Sequence, residues 1–97
     1  MMMSGISGIG GMAMMSDVRL KKNIRRLGPC RSGLFFRYKW EWNDVAKALG
    51  FNYLPTTGVI AQEVMRYAPN AVHKTASGYY CIDYELLNRI EDARTTS

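Results

Sequence analysis

The sequence predicts a small mixed α+β domain with short strands and short helices, and three observations carry that prediction. Residues 34–42 (LFFRYKWEW) alternate apolar and charged side chains with the two-residue period of a half-buried strand. The other apolar runs are short and separated by turn-forming pairs such as Gly28-Pro29 and Ser77-Gly78. The predicted strands and helices interleave irregularly, and no internal repeat is present. A chain of 97 residues that is 47% hydrophobic points to one domain rather than to disorder throughout. Two Trp, six Tyr and three Phe supply an aromatic core. So small a chain buries a limited fraction of its surface, so oligomerisation is expected.

Residues 1–15 (MMMSGISGIGGMAMM) form an uncharged leader rich in Met and Gly. It reads either as a flexible lead-in or as a packed stem, where glycine allows close backbone approach and methionine fills irregular gaps. It lacks the positive start of a secretory signal and is shorter than the about 18–20 apolar residues of a membrane span. No membrane span is expected. In residues 16–27, Leu20, Ile24 and Leu27 recur at helical spacing, which predicts a short amphipathic helix capped by Ser16 or Asp17 and ended by Gly28-Pro29. The strand at 34–42 follows, with Phe36, Tyr38, Trp40 and Trp42 on one face. Asn43 and Asp44 suit the cap of a helix running to Leu49, closed by Gly50. Pro55-Thr56-Thr57-Gly58 is a turn, residues 59–61 a short strand, and residues 62–67 a brief helix stopped by Ala68-Pro69-Asn70. An extended arm from Val72, a turn at Ser77-Gly78 and a return strand over 79–83 make a hairpin. A last helix covers 85–92, and residues 91–97 are a tail that frays from Arg94.

The formal net charge is +5, and much of the excess lies between Arg19 and Lys39. Arg19, Lys21, Lys22, Arg25 and Arg26 place five cations in eight residues, which would suit phosphate contacts. They suit a solvated helix face better, since no nucleic-acid module accompanies them and the aromatics of 36–42 alternate as a buried face does; an interface with acidic groups of a partner chain is the other alternative. Cys30 and Cys81 read as free thiols rather than as a disulfide. His73 with Cys81 or Asp83 is a poor thiol-protease constellation. One His and two distant Cys give no metal-ligand spacing, and Gly5, Gly8, Gly10 and Gly11 form no phosphate loop, so no metal or cofactor is expected.

Ser16 and Lys21 are the remaining chemical signal. A serine hydroxyl near a lysine amine forms a nucleophile and general base, and the bond nearest to hand is the chain's own Met15–Ser16 peptide. On spacing alone the pair is weak, because serines lie near lysines in most proteins.

Three segments together change its weight. Ser16-Asp17-Val18-Arg19-Leu20-Lys21-Lys22-Asn23-Ile24 resembles the opening signature of the intramolecular chaperone auto-processing domain that ends endosialidase-type phage tailspikes and tail fibres. Gly58-Val59-Ile60-Ala61-Gln62-Glu63-Val64, with Pro69 and Val72, resembles its middle motif. Tyr80-Cys81-Ile82-Asp83-Tyr84, with Leu87, resembles its closing strand-to-helix motif. Tyr38-Lys39-Trp40-Glu41-Trp42 is similar to its aromatic strand. The resemblance covers residues 16–90 in order. It implies a homotrimer whose domain helps three chains find register and then releases itself by cutting just before the signature serine, with Ser16 as nucleophile and Lys21 as general base. Lys21 must then be neutral, its pKa lowered by burial or by Arg19 and Lys22. Asp17 is a candidate for orienting the lysine, although as a counter-ion it would raise that pKa.

The family members that this chain resembles follow a large fibre or spike and often continue into a coiled coil. Here residues 1–15 precede the signature and one short helix closes the chain. The leading expectation is therefore a virion structural and assembly protein of a tail, fibre or spike, retained in the particle and made in the host bacterial cytoplasm. Its partners would be its own copies and other virion tail or spike proteins. The second is an active, single-turnover serine–lysine autoprotease and assembly chaperone cutting Met15–Ser16. The third is a basic nucleic-acid-binding module.

Overall fold

A computed structural model describes residues 13–95. Two three-stranded antiparallel sheets hold the chain together. The first has the order β1–β6–β5, built from Ala13–Met15, Tyr80–Asp83 and Val72–Lys74. The second has the order β2–β3–β4, built from Lys21–Pro29, Phe36–Trp42 and Thr57–Gly58. Three α-helices connect or close them: α1 (Asp44–Ala48), α2 (Ala61–Val64) and α3 (Tyr84–Thr95). The fold is the mixed α+β arrangement that the sequence predicts. Residues 1–12 of the leader and 96–97 of the tail lie outside the described residues.

The aromatic strand forms as expected. Trp40 and Trp42 are buried, Phe36 and Tyr38 half-buried, while Arg37, Lys39 and Glu41 between them are exposed. Helix α1 starts as its sequence dictates: Asn43 caps it by accepting a hydrogen bond from the Ala46 N–H at 3.1 Å. Gly50 ends it with φ +84°, a left-handed conformation that favours glycine. The hairpin around Ser77-Gly78 pairs β5 with β6, in the register Val72 to Ile82 and His73 to Cys81. Helix α3 runs through Arg94 to Thr95, past the fraying expected at Arg94.

The helix expected over 16–27 is absent. Asp17 instead caps a single 3-10 turn, Val18–Leu20, and the chain then extends as β2 against β3. Leu20, Ile24 and Leu27 have helical spacing, but only Leu20 is buried; Ile24 and Leu27 lie 36% and 52% exposed. Most of β2 projects as a ribbon with neither face covered, so its sequence shows no strand alternation. Asn23, at φ +51°, and two register shifts bend the ribbon further from any regular period. The strand expected at 59–61 is likewise reduced to Thr57–Gly58, with Ala61 already opening α2.

The core divides into two clusters. Phe35, Val59, Val64, Ile82 and Leu87, with three small alanines, pack where α2, α3 and β6 meet. Met15, Leu20, Trp40, Trp42, Ala46 and Cys81 form the second. Ser16 lies at the seam between the sheets: its N–H donates to the Tyr80 carbonyl at 3.1 Å, and its carbonyl accepts from the Ala61 N–H at 2.8 Å. Thus Ala13–Met15, read from sequence as the end of a leader, is an edge strand of the fold.

Candidate self-cleavage site

Ser16, Asp17 and Lys21 are all buried, at 1%, 0% and 6% exposure, in a chain whose other cations are largely solvated. Burying a lysine is costly unless something replaces water around its amine. Lys21 begins β2 directly opposite Trp42, and its Nζ lies 4.2 Å from the Trp40 ring centroid and 4.7 Å from that of Trp42. The two indoles meet edge to face, 5.7 Å apart. The amine is thereby aimed at backbone: it lies 3.3 Å from the Asp17 carbonyl oxygen and 3.5 Å from the carbonyl oxygen of Met15. Burial pulls the Lys21 pKa down to about 7, against the nearby charge of Asp17, which raises it. Near neutral pH, neutral and protonated amine are thus both well populated.

The Ser16 hydroxyl donates to the Met14 carbonyl at 3.4 Å and is a hydrogen-bond partner of the Tyr84 hydroxyl. Tyr84 is fixed from the other side, accepting the Val59 N–H at 3.1 Å. Burial pushes its phenol pKa up, and those hydrogen bonds only partly offset the rise. Space for Tyr84 exists because residue 58 is glycine: a Cβ there would lie 2.5 Å from the Tyr84 hydroxyl oxygen.

Asp17 meets the Lys21 amine through its backbone carbonyl, whereas its carboxylate pairs with Arg19. Oδ1 accepts from Arg19 N–H at 2.9 Å, Arg19 Nε at 3.0 Å and Gln62 Nε2 at 2.8 Å; Oδ2 accepts from Arg19 Nη2 at 2.7 Å and Tyr80 N–H at 3.0 Å. Burial acts to raise its pKa, but these donors overrule it and hold the carboxyl far below the usual range. Gln62 extends the network by accepting the Val18 N–H at 2.8 Å. The neighbouring Glu63 ties β3 in place, accepting the Phe36 N–H and the Tyr38 hydroxyl, each at 3.1 Å. Gln62 and Tyr84 were not singled out from the sequence as site residues. Their one available signal is polar side chains inside otherwise apolar motifs.

The remaining sequence candidates separate. The basic run does not form one face: Lys21 turns inward, Arg19 pairs with Asp17 and stacks over Tyr79, and Arg26 lies over the Phe36 ring. His73 does face Cys81 in register, yet Cys81 is fully buried and desolvation raises its thiol pKa, as burial pushes Cys30 to about 11. Neither thiol is activated as a nucleophile, and both are free. Among the described residues no helix is long and apolar enough to cross a membrane, and no cluster of His, Cys, Asp and Glu could hold a metal ion.

The model of the Peptidase_S74 family, described as the chaperone of endosialidase, matches residues 16–73. No curated protein and no solved structure matches the chain. The matched segment begins at Ser16, takes in Lys21 and the motif at 58–64, and stops short of Tyr80–Asp83, which the structure nevertheless binds to Asp17. With more than half its length matched, this chain belongs to the chaperone-of-endosialidase family.

Proposed function

We propose that this chain is an assembly domain of a phage tail, fibre or spike, working as a homotrimer in the virion, and that it cuts its own Met15–Ser16 bond. The observation that carries the cleavage is the desolvated Lys21 amine beside the Met15 carbonyl. In its neutral form Lys21 takes the proton of Ser16 Oγ as that oxygen attacks the Met15 carbonyl carbon. The C–N bond breaks, the Ser16 nitrogen gains a proton, and the chain is left joined by an ester. Water then hydrolyses the ester, freeing the Met15 carboxylate and restoring the hydroxyl.

A second reading, a domain retained uncut as a structural part, is favoured by one feature. Strand β1 lies upstream of the bond yet pairs with β6 over Ala13–Met15, so both sides of the bond belong to one fold. The trimer draws support from the exposed ribbon residues Ile24 and Leu27 and from exposed Tyr53 and Tyr67. N-terminal sequencing separates the readings. A fragment that begins at Ser16, and is missing from Ser16→Ala, supports cleavage; its absence from the parent chain leaves the structural reading.

A further inference from the structure

The bond proposed for cutting is clamped on both sides, and its upstream side has the character of a bound peptide. Ala13, Met14 and Met15 lie antiparallel to Asp83, Ile82 and Cys81, so these residues cover one edge of β6 while β5 covers the other. The Met15 side chain is only 8% exposed, packed with Leu20, Trp40, Trp42 and Cys81. Removing it would open a cavity in that cluster and leave an unpaired strand edge. The new chain start is held as well, since the Ser16 nitrogen sits 3.1 Å from the Tyr80 carbonyl and the Ser16 carbonyl accepts from Ala61.

We propose that β6 and the side chains packed around Met15 form a product-binding site, in which the upstream segment stays docked after the cut with its new carboxylate paired to Lys21. This rests on the cleavage reading above. Hydrolysis adds one water across the bond and turns the Met15 carbonyl, 3.5 Å from Lys21 Nζ, into a carboxylate at the same place. A carboxylate there favours the ammonium form of the lysine, and the pair becomes a charge-assisted hydrogen bond in a water-poor site. The residue that acted as base is then held protonated, which leaves one cut per chain. The upstream segment is retained although its covalent bond is gone, so cleavage and continued residence in the particle are compatible.

The test uses the full chain, weighed by denaturing and by native mass spectrometry. The expected result is two pieces under denaturing conditions and, natively, assemblies in which every copy of the piece starting at Ser16 still carries its upstream segment. Two pieces under denaturing conditions with the upstream segment missing natively would overturn the docking and leave the cleavage standing. A single uncut mass in both would overturn the cleavage and the docking with it. A labelled peptide of residues 1–15, added to the cut protein as the free acid or as the carboxamide, then probes the lysine. The acid should exchange into the site on the order of tenfold more tightly than the amide. Equal affinities would overturn the pairing with Lys21.

Discussion

At the residue scale, Lys21 and Asp17 are two buried charges with opposite handling. Asp17 is surrounded by donors and stays ionised; Lys21 is surrounded by indole rings and is brought close to losing its proton. Cleavage should therefore rise about tenfold per pH unit below pH 7 and level off above it, as Lys21 loses its proton. Lys21→Arg, which keeps a charge that is never surrendered, should abolish the cut rather than weaken it. A flat pH profile would remove Lys21 as the base. The same shift bears on stability. In the folded chain Lys21 titrates near 7, and unfolded near 10.5, so between those values the unfolded state binds more protons. Melting temperature should rise from pH 7 to about 9 in Ser16→Ala, and the rise should shrink when Lys21→Met is added. For Asp17 the sign is the usual carboxylate one: its contribution is present above its unfolded value of 3.8 and is lost as pH falls below it. Asp17→Ala strips the Tyr80 N–H and the Gln62 amide of their acceptor and should cost about 3 kcal/mol in denaturant unfolding.

At the scale of elements, the site is assembled from four places: the end of β1, the start of β2, the opening of α2 and the junction of β6 with α3. Gly58 shows how tightly they fit. Gly58→Ala would drive a methyl group to within 2.5 Å of the Tyr84 hydroxyl oxygen, displacing the tyrosine that contacts Ser16. It should slow cleavage and lower the melting temperature together, whereas Tyr84→Phe should relieve part of that clash in the double variant. What could be read from the sequence follows the same division. The strand of Trp40 and Trp42, the Asn43 cap and the Ser77-Gly78 turn were legible because each depends on local chemistry. Strand β2 was not, because a ribbon with both faces open imposes no burial pattern, and Leu20, Ile24 and Leu27 chanced to match a helix. Ser16 and Lys21 were legible only as part of a signature, since their spacing is common. Nothing local announces that Trp40 and Trp42 desolvate Lys21, or that Gln62 and Tyr80 reach back to Asp17 across more than forty residues.

For the whole molecule, a chain of this size with Ile24, Leu27, Tyr53 and Tyr67 on its surface is expected to associate, and the proposed state is a trimer. Leu27→Ser changes a side chain that is half exposed on the ribbon, so it should alter monomer stability by only about 0.5–1 kcal/mol. It should nevertheless shift light-scattering mass from three copies towards one; a parent chain that is monomeric at all concentrations would contradict the trimer. The proposed trimer and the proposed cleavage are thus tested by different variants, on the ribbon for one and around Ser16 for the other. The central claim is that Ser16 and Lys21 form a working site, and its most direct test is the intact mass of the purified chain in denaturant beside that of Ser16→Ala. A species beginning at Ser16 in the parent, absent from the variant, is the predicted result; identical uncut masses for both would contradict it.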